Sequence, residues 1–324
     1  MTERNDSIES PRVNRLLACG AAGLTLSAPS GYAATPTLAW RRILVLVLNL
    51  TAWALLMAWF AAILASGGWT AVEIILLLCF AFATPWTVLG LWNAVIGLWL
   101  LKGGSDGLRE TAPFLAAAAT NEPLAVTTAV LMTLRNEDPA RALARLQTVK
   151  ASLDATGEGD KFAYFVLSDS DAPDVAAEEE RRVAAWAAVE PGQARIVYRR
   201  RSDNAGYKAG NVRDFCTRWG ADYELMLPLD ADSLMTGSAI LGLVRIMQHH
   251  PEIGILQSLV VGMPAASAFA RIFQFGMRLG MRAYTMGQSW WTGDCGPYWG
   301  HNALIRIAPF AAHCDLPMLP GKPP

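Results

Sequence analysis

Asp230 and Asp232 stand two residues apart at the end of the apolar run Leu225 to Leu229. If the chain stays extended there, both side chains point the same way. Two carboxylates on one side suit a hard divalent cation, Mg2+ or Mn2+, which usually also takes phosphate oxygens from a substrate. The alternative is a pair of turn or helix-capping aspartates. Asp169-Ser170-Asp171 repeats the spacing elsewhere, so the place after a strand matters more than the motif. Pro228 is unusual inside a buried strand.

A second cluster begins at Arg199-Arg200-Arg201 and runs through Asn204-Ala205-Gly206-Tyr207-Lys208-Ala209-Gly210-Asn211. Gly206 and Gly210 allow a tight loop whose backbone comes close to a ligand. Lys208 adds a point charge, and Asn211 is placed to cap the next helix. A loop, a cation and a helix N-terminus together suit an anion; a solvated basic loop is the alternative. GxxxxGK[ST] and GxGxxG, the usual phosphate-binding loops, do not occur.

Short β-branched or apolar runs alternate with helical spacing around these clusters. Strands are expected at Val126–Thr133, Phe162–Leu167, Arg195–Tyr198 and Leu225–Leu229. Helices are expected at Ala140–Leu153, Val175–Val189, Asn211–Trp219 and Ser238–Gln248. Such alternation implies an α/β domain, a Rossmann-like and mainly parallel sheet with helices on both faces. Ligands bind outside the carboxyl ends of such strands. The polar clusters Asn136-Glu137, Asp169 and Asp230-Ala231-Asp232 fall there.

Upstream lies something different. Ile43–Ala65 and Ile74–Leu101 carry no charge, and each is long enough to span a bilayer. The joint Ser66-Gly67-Gly68-Trp69 marks a tight turn, so the runs read as a two-helix transmembrane hairpin, the second run interrupted by Pro85; buried soluble core helices are the alternative. Trp40, Trp69 and Trp99 fall near the ends, where indoles favour the interface. Arg41 and Arg42 precede the hairpin, Lys102 and Arg109 follow it, and the joint carries only Glu73. The positive-inside rule then makes both flanks, and all that follows, cytoplasmic. Hydrophobic residues at 53% against 17% charged residues, with a net charge of -1, exclude disorder and give no basic field for nucleic acid. The five cysteines are scattered and read as reduced thiols, with no metal cluster.

The order of these pieces resembles the family 2 glycosyltransferases, the processive membrane-bound kind that includes cellulose synthase. The closest likeness is to the branch that builds osmoregulated periplasmic glucans. The segments that carry it are Arg135-Asn136-Glu137-Asp138, Phe165–Asp169, Lys208-Ala209-Gly210-Asn211, Leu229–Ser233, Tyr298–Ala303 and Ile307–Gly321. The resemblance covers about residues 40–324 and implies a GT-A fold. It implies an inverting glucosyltransferase of the bacterial inner membrane that passes glucose from UDP-glucose to a nascent glucan, with the bilayer as a further partner. Cellulose-like or hyaluronan-like synthesis is an alternative, as is a membrane-tethered UDP-sugar-binding module without activity. The resemblance puts Asn136, Glu137 and Asp169 around the uridine and Lys208 at the diphosphate. It puts Asp230 and Asp232 on the metal, and Gly300, His301 and Asn302 near the acceptor sugar. In that family an aspartate base and a Gln-x-x-Arg-Trp motif follow. Neither occurs here, so the base is expected beyond Pro324 and the chain reads as truncated; Asp294 precedes the acceptor segment, and Asp315 lies in a stretch without the expected flanks.

The expected layout is a cytoplasmic tail at 1–42, the hairpin at 43–102, a linker at 103–124 and a GT-A domain at 125–324. In the tail, Arg12, Arg15 and Leu16–Ala28 imitate a signal peptide, but a cytoplasmic tail is the favoured reading. Phe269, Ile272, Phe273, Met277, Met281 and Tyr284 share a helical face, with Arg271, Gln274, Arg278 and Arg282 away from it. That pattern suits a helix lying on a membrane or one packed on the sheet. His249-His250 reads as a polar helix end, and His301 as a sugar contact or a core histidine.

Overall fold

Seven residues without a charge, Thr128–Leu134, form β1 of a six-stranded sheet. The computed structural model describes residues 36–103, 106–190 and 195–314. The tail motifs, Cys19, Asp315 and the last residues through Pro324 lie outside them. Two units form, one from residues 114–258 and 298–314, the other from residues 36–113 and 259–297.

The first unit follows the alternation read from the sequence. After β1 come α4 (Pro139–Asp154), β2 (Phe162–Ser168), α5 (Pro173–Val189) and β3 (Ile196–Arg200). Then follow α6 (Tyr207–Trp219), β4 (Leu225–Asp230), α7 (Gly237–His249), β5 (Ile255–Gln257), β6 (Ala303–Arg306) and α9 (Ile307–His313). The strand order is β3-β2-β1-β4-β6-β5. The first four strands pair in parallel, and β6 runs antiparallel to both β4 and β5. Alternate residues feed the two faces, as the strand period requires. Val130, Met132, Tyr164, Val166 and Leu227 pack with α4, α5 and α7. Leu131, Phe165, Leu167 and Met226 pack with Val212 and Phe215 of α6 and Phe310 of α9.

Pro228 is tolerated for a local reason. The β4–β6 ladder has only the pairs Leu225–Arg306 and Met226–Ile305. Beyond it the Pro228 carbonyl accepts from Asn302 N at 2.9 Å. The N–H and C=O of one strand residue face the same edge, so the missing donor falls where the ladder has already ended.

In the second unit, α1 (Pro36–Ala65) and α2 (Ala71–Lys102) are both long and apolar enough to cross a membrane. Their outer surfaces are not covered: Phe82 is 85% exposed and Trp86 75%. That exposure speaks against soluble core helices and for membrane association. Thr70 and Glu73 form a capping box that starts α2. Pro85 removes one helical donor and frees the carbonyl four residues back, Ala81. Trp53 Nε1 of α1 donates to that carbonyl at 3.2 Å, so the orphaned group is satisfied from the neighbouring helix.

The expected linker has structure of its own: α3 (Gly107–Thr111) belongs to the second unit. A 3-10 turn, Pro113–Ala119, sets Phe114, Leu115, Ala117 and Ala118 against the core of the first. The amphipathic helix is α8 (Ala268–Thr292). It lies against α2, where Gly97 and Gly287 cross, while Phe269, Ile272 and Phe273 stay exposed.

Candidate functional site

The order β3-β2-β1-β4 places the reversal of winding between β1 and β4, where open α/β sheets bind ligands. A cavity of about 650 Å3 opens there at the carboxyl ends of the strands. Glu137, Asp169, Lys208, Asp230 and Asp232 all line it. The sheet thus brings together five of the residues singled out from the sequence.

Asp169 follows β2 and is gripped by Arg201, which follows β3 in the next strand over. Arg201 Nε and Nη2 donate to Asp169 Oδ1 and Oδ2, each at 2.7 Å, a bidentate fork. The same guanidinium donates to the carbonyls of Ala205 and Tyr207, both at 3.0 Å. The pairing with Asp169 holds its pKa above the ordinary arginine value. Asn204 completes the corner, its amide donating to Asp169 Oδ2 at 3.0 Å and accepting from Arg135. Sequence reasoning passed over Arg201 and Asn204; the only signal was their place in the basic cluster.

The expected glycine loop is shorter than the sequence suggests. Gly206 is left-handed, with φ of 68°, but Lys208, Gly210 and Asn211 already lie within α6. Gly210 is required by packing rather than by a turn: a Cβ there would stand 2.0 Å from the Ala205 carbonyl oxygen. Asn211 is no cap. It is buried in the helix, donating to Leu167 O at 3.1 Å and accepting from Arg199 at 2.6 Å. Burial lowers the pKa of Arg199, against the pull of Asp214.

The chain also turns after Asp230, with Ser233 N donating to Asp230 O at 3.0 Å. Asp230 and Asp232 therefore face one cavity through a turn, not along an extended strand. Lys208 Nζ forms an ion pair with Asp230 and donates to Gly300 O at 2.9 Å. Arg145 of α4 donates to Ala231 O at 2.9 Å, which fixes the turn between the two aspartates. Among the described residues no group of three or more His, Cys, Asp or Glu is arranged around one ion. Two hard carboxylates on one cavity still suit a divalent cation that completes its shell with phosphate and water.

Asn136 is used differently from its neighbours. It is left-handed, with φ of 59°, and its amide is spent on the next loop. Nδ2 donates to Asp171 Oδ1 at 2.5 Å, and Oδ1 accepts from the N–H groups of Asp171 and Ala172, each at 3.1 Å. Behind it, Ser170 Oγ joins Asn136 N to the buried Glu179, which Tyr198 also contacts. Asn136 thus ties the end of β1 to the end of β2. Glu137 accepts from Arg135 N beside it.

Gly300, His301 and Asn302 lead into β6. Gln257, the last residue of β5, clamps them: it accepts from Trp299 N at 3.1 Å and donates to His301 O at 3.1 Å. Ser258 Oγ adds a bond to Asn302 O at 2.6 Å. Tyr298 stands within the field of Asp230; burial first, and then that carboxylate, push its phenol up to about 12. Gln257 carried no sequence signal, because β5 is only three residues long.

Curated proteins named glucans biosynthesis glucosyltransferase H align over most of the chain. One from Pseudomonas aeruginosa is 40% identical over 249 residues, 76% of this chain and 28% of that protein. One from Xylella fastidiosa is 40% identical over 266 residues, 81% of this chain and 41% of its own length. Over most of its own length this chain is similar to those glucosyltransferases. A third, from Rhodopseudomonas palustris, is 39% identical over 263 residues, 81% of this chain and 36% of that protein. The chain therefore spans well under half the length of these relatives. No family model matches it. A mannosyltransferase from Pyrobaculum calidifontis, solved with GDP-Man and Mn2+, is 18% identical, with a TM-score of 0.33 over 52% of this chain and 47% of its own.

Proposed function

We propose that this chain carries the donor site of a membrane-bound inverting glucosyltransferase that takes glucose from UDP-glucose for a growing β-glucan. The observation that supports it most is the gathering of Asp169, Lys208, Asp230 and Asp232 on one cavity at the switch point of the sheet. The 40% identity to glucan glucosyltransferases gives the same direction.

Each residue has work that suits this chemistry. Asp169, held rigid by Arg201, accepts hydrogen bonds from the uridine, with Glu137 beside it. Lys208 faces the diphosphate. Asp232, with no ion pair among the described residues, and Asp230 hold Mg2+ or Mn2+. When bound, the ion stabilises the charge that develops on the departing diphosphate. Lys208 adds a fixed positive charge to the same leaving group. Gly300, His301 and Asn302, clamped by Gln257, set the acceptor side.

Arg41, Arg42, Lys102 and Arg109 put both ends of the hairpin on the cytoplasmic side of the inner membrane, where UDP-glucose is made. In that layout the hairpin at 43–102 shares a unit with 259–297, and the transferase fold is built from 114–258 and 298–314.

Titration calorimetry of the full chain in nanodiscs tests the reading. UDP-glucose should bind, Mn2+ should tighten the binding, and GDP-mannose should bind more weakly. Equal affinity for the two donors, or no binding of either, overturns it.

A further inference from the structure

Three non-glycine residues among those described have positive φ: Asn136 at 59°, Tyr207 at 49° and Asn302 at 52°. All three stand at corners of the site, after β1, at the start of α6 and before β6. Asparagine tolerates this region, but a bulky aromatic there is an outlier. Tyr207 follows left-handed Gly206, which adopts that conformation without penalty, so the strain rests on Tyr207 alone.

The loop is over-determined in that shape. Tyr207 N donates to Asn204 O at 3.0 Å, and Tyr207 O accepts from Arg201 Nη2 at 3.0 Å. Gly210 lets the Ala205 carbonyl press against α6. Yet the tyrosine ring contributes nothing to the fold that would repay the strain. It is 67% exposed and lines the cavity. No hydrogen bond of its hydroxyl and no ring contact is found among the described residues. Strain that persists without a packing reason is a mark of function.

We propose that the Tyr207 ring is the stacking surface for the base of the nucleotide bound here. This rests on the nucleotide-sugar reading above. The backbone of Tyr207 is tied through Arg201 to Asp169, the residue assigned above to the uridine, while the neighbouring Lys208 reaches Asp230. A base offers the flat π face that an aromatic ring matches, and such stacks are sequence-tolerant yet substantial.

Uridine, UDP and UDP-glucose binding to the full chain in nanodiscs, measured by calorimetry, tests the assignment in wild type, Tyr207→Phe, Tyr207→Leu and Tyr207→Gly. Glycine removes the ring and the strain together, so Tyr207→Gly should hold or raise the thermal midpoint. It should weaken uridine and UDP by the same factor, about tenfold. Leucine should lose as much, and phenylalanine should keep wild-type affinity. Lys208→Met should weaken UDP but leave uridine unchanged. Wild-type affinity for uridine in Tyr207→Gly overturns the proposal, as does a loss confined to UDP-glucose, which would put the ring against the sugar. A phenylalanine variant as weak as glycine would assign the effect to the hydroxyl and also overturn it. Wild type that binds none of the three ligands instead overturns the nucleotide reading itself.

Discussion

Arg201 and Asp169 meet in a two-bond fork with side chains only 9% and 3% exposed, at the ends of adjacent parallel strands. The pair converts sheet register into site geometry. β2 delivers the carboxylate, β3 delivers the guanidinium, and the remaining donors of Arg201 shape the loop that carries Tyr207 and Lys208.

Removing Arg201 therefore leaves a buried carboxylate without its partner. Arg201→Ala should cost about 3–5 kcal/mol of stability and abolish nucleotide binding. Arg201→Lys is expected to retain only part of both, since an ammonium cannot make the fork. Urea unfolding in detergent measures the first, and UDP titration the second. A lysine variant equal to wild type in both would remove the fork from the argument.

Lys208 and Asp230 neutralise each other in the absence of ligand, while Asp232 stands exposed beside them. Asp232→Asn should then abolish the gain in UDP affinity on adding Mn2+ and leave metal-free binding nearly unchanged. Lys208→Met should weaken UDP by about tenfold, a charge-assisted contact of about 1.5 kcal/mol, with or without metal. Metal-independent binding in wild type would refute the role of the aspartates.

Much of this arrangement was legible in advance, and the failures have physical causes. β2, α4 and α5 were readable because buried parallel strands are continuous apolar runs and their helices repeat Leu143, Leu146, Val149 and Leu153 at helical spacing. α6 starts at Tyr207, four residues before the expected Asn211. Two glycines suggested a loop, whereas Gly210 is a contact point inside the helix. β5 and β6 span three and four residues, too few to show a period. Gln257, Arg145 and Arg201 act through tertiary bonds to distant backbone and carboxylate groups, which no local pattern encodes.

The first unit also carries an ion cluster around a buried lysine. Lys150, 7% exposed, pairs with Asp154 at 2.6 Å and Glu190 at 2.8 Å. The hydrogen bond from Lys150 lowers the Glu190 pKa below its ordinary 4.5, outweighing burial. A depressed carboxylate contributes stability above its unfolded pKa and loses it as pH falls through the folded value. Glu190→Gln should thus be less stable than wild type at pH 7, and the difference should close below about pH 4.5. Urea midpoints from pH 7 to pH 3 check it; a constant difference across that range would contradict the linkage.

Within the second unit, α2 and α8 approach to backbone contact. A Cβ at Gly97 would lie 1.7 Å from the Ala283 carbonyl oxygen, and one at Gly287 would lie 2.0 Å from that of Asn93. Neither obstacle is a side chain that can swing away, so even a methyl group must separate the helices. Small residues are what allow such close packing where the hydrophobic effect gives helices little reason to associate. Separation would also break the bond from Trp291 Nε1 to Asn93 Oδ1, now 2.8 Å. Gly97→Ala and Gly287→Ala should each lower the thermal midpoint in detergent and expose α8 to protease. Gly276→Ala is the control, because a Cβ there meets nothing within 4 Å, and alanine at that helix position should be neutral or stabilising. If all three variants behave alike, the crossing of Gly97 and Gly287 does not hold α8 to the hairpin.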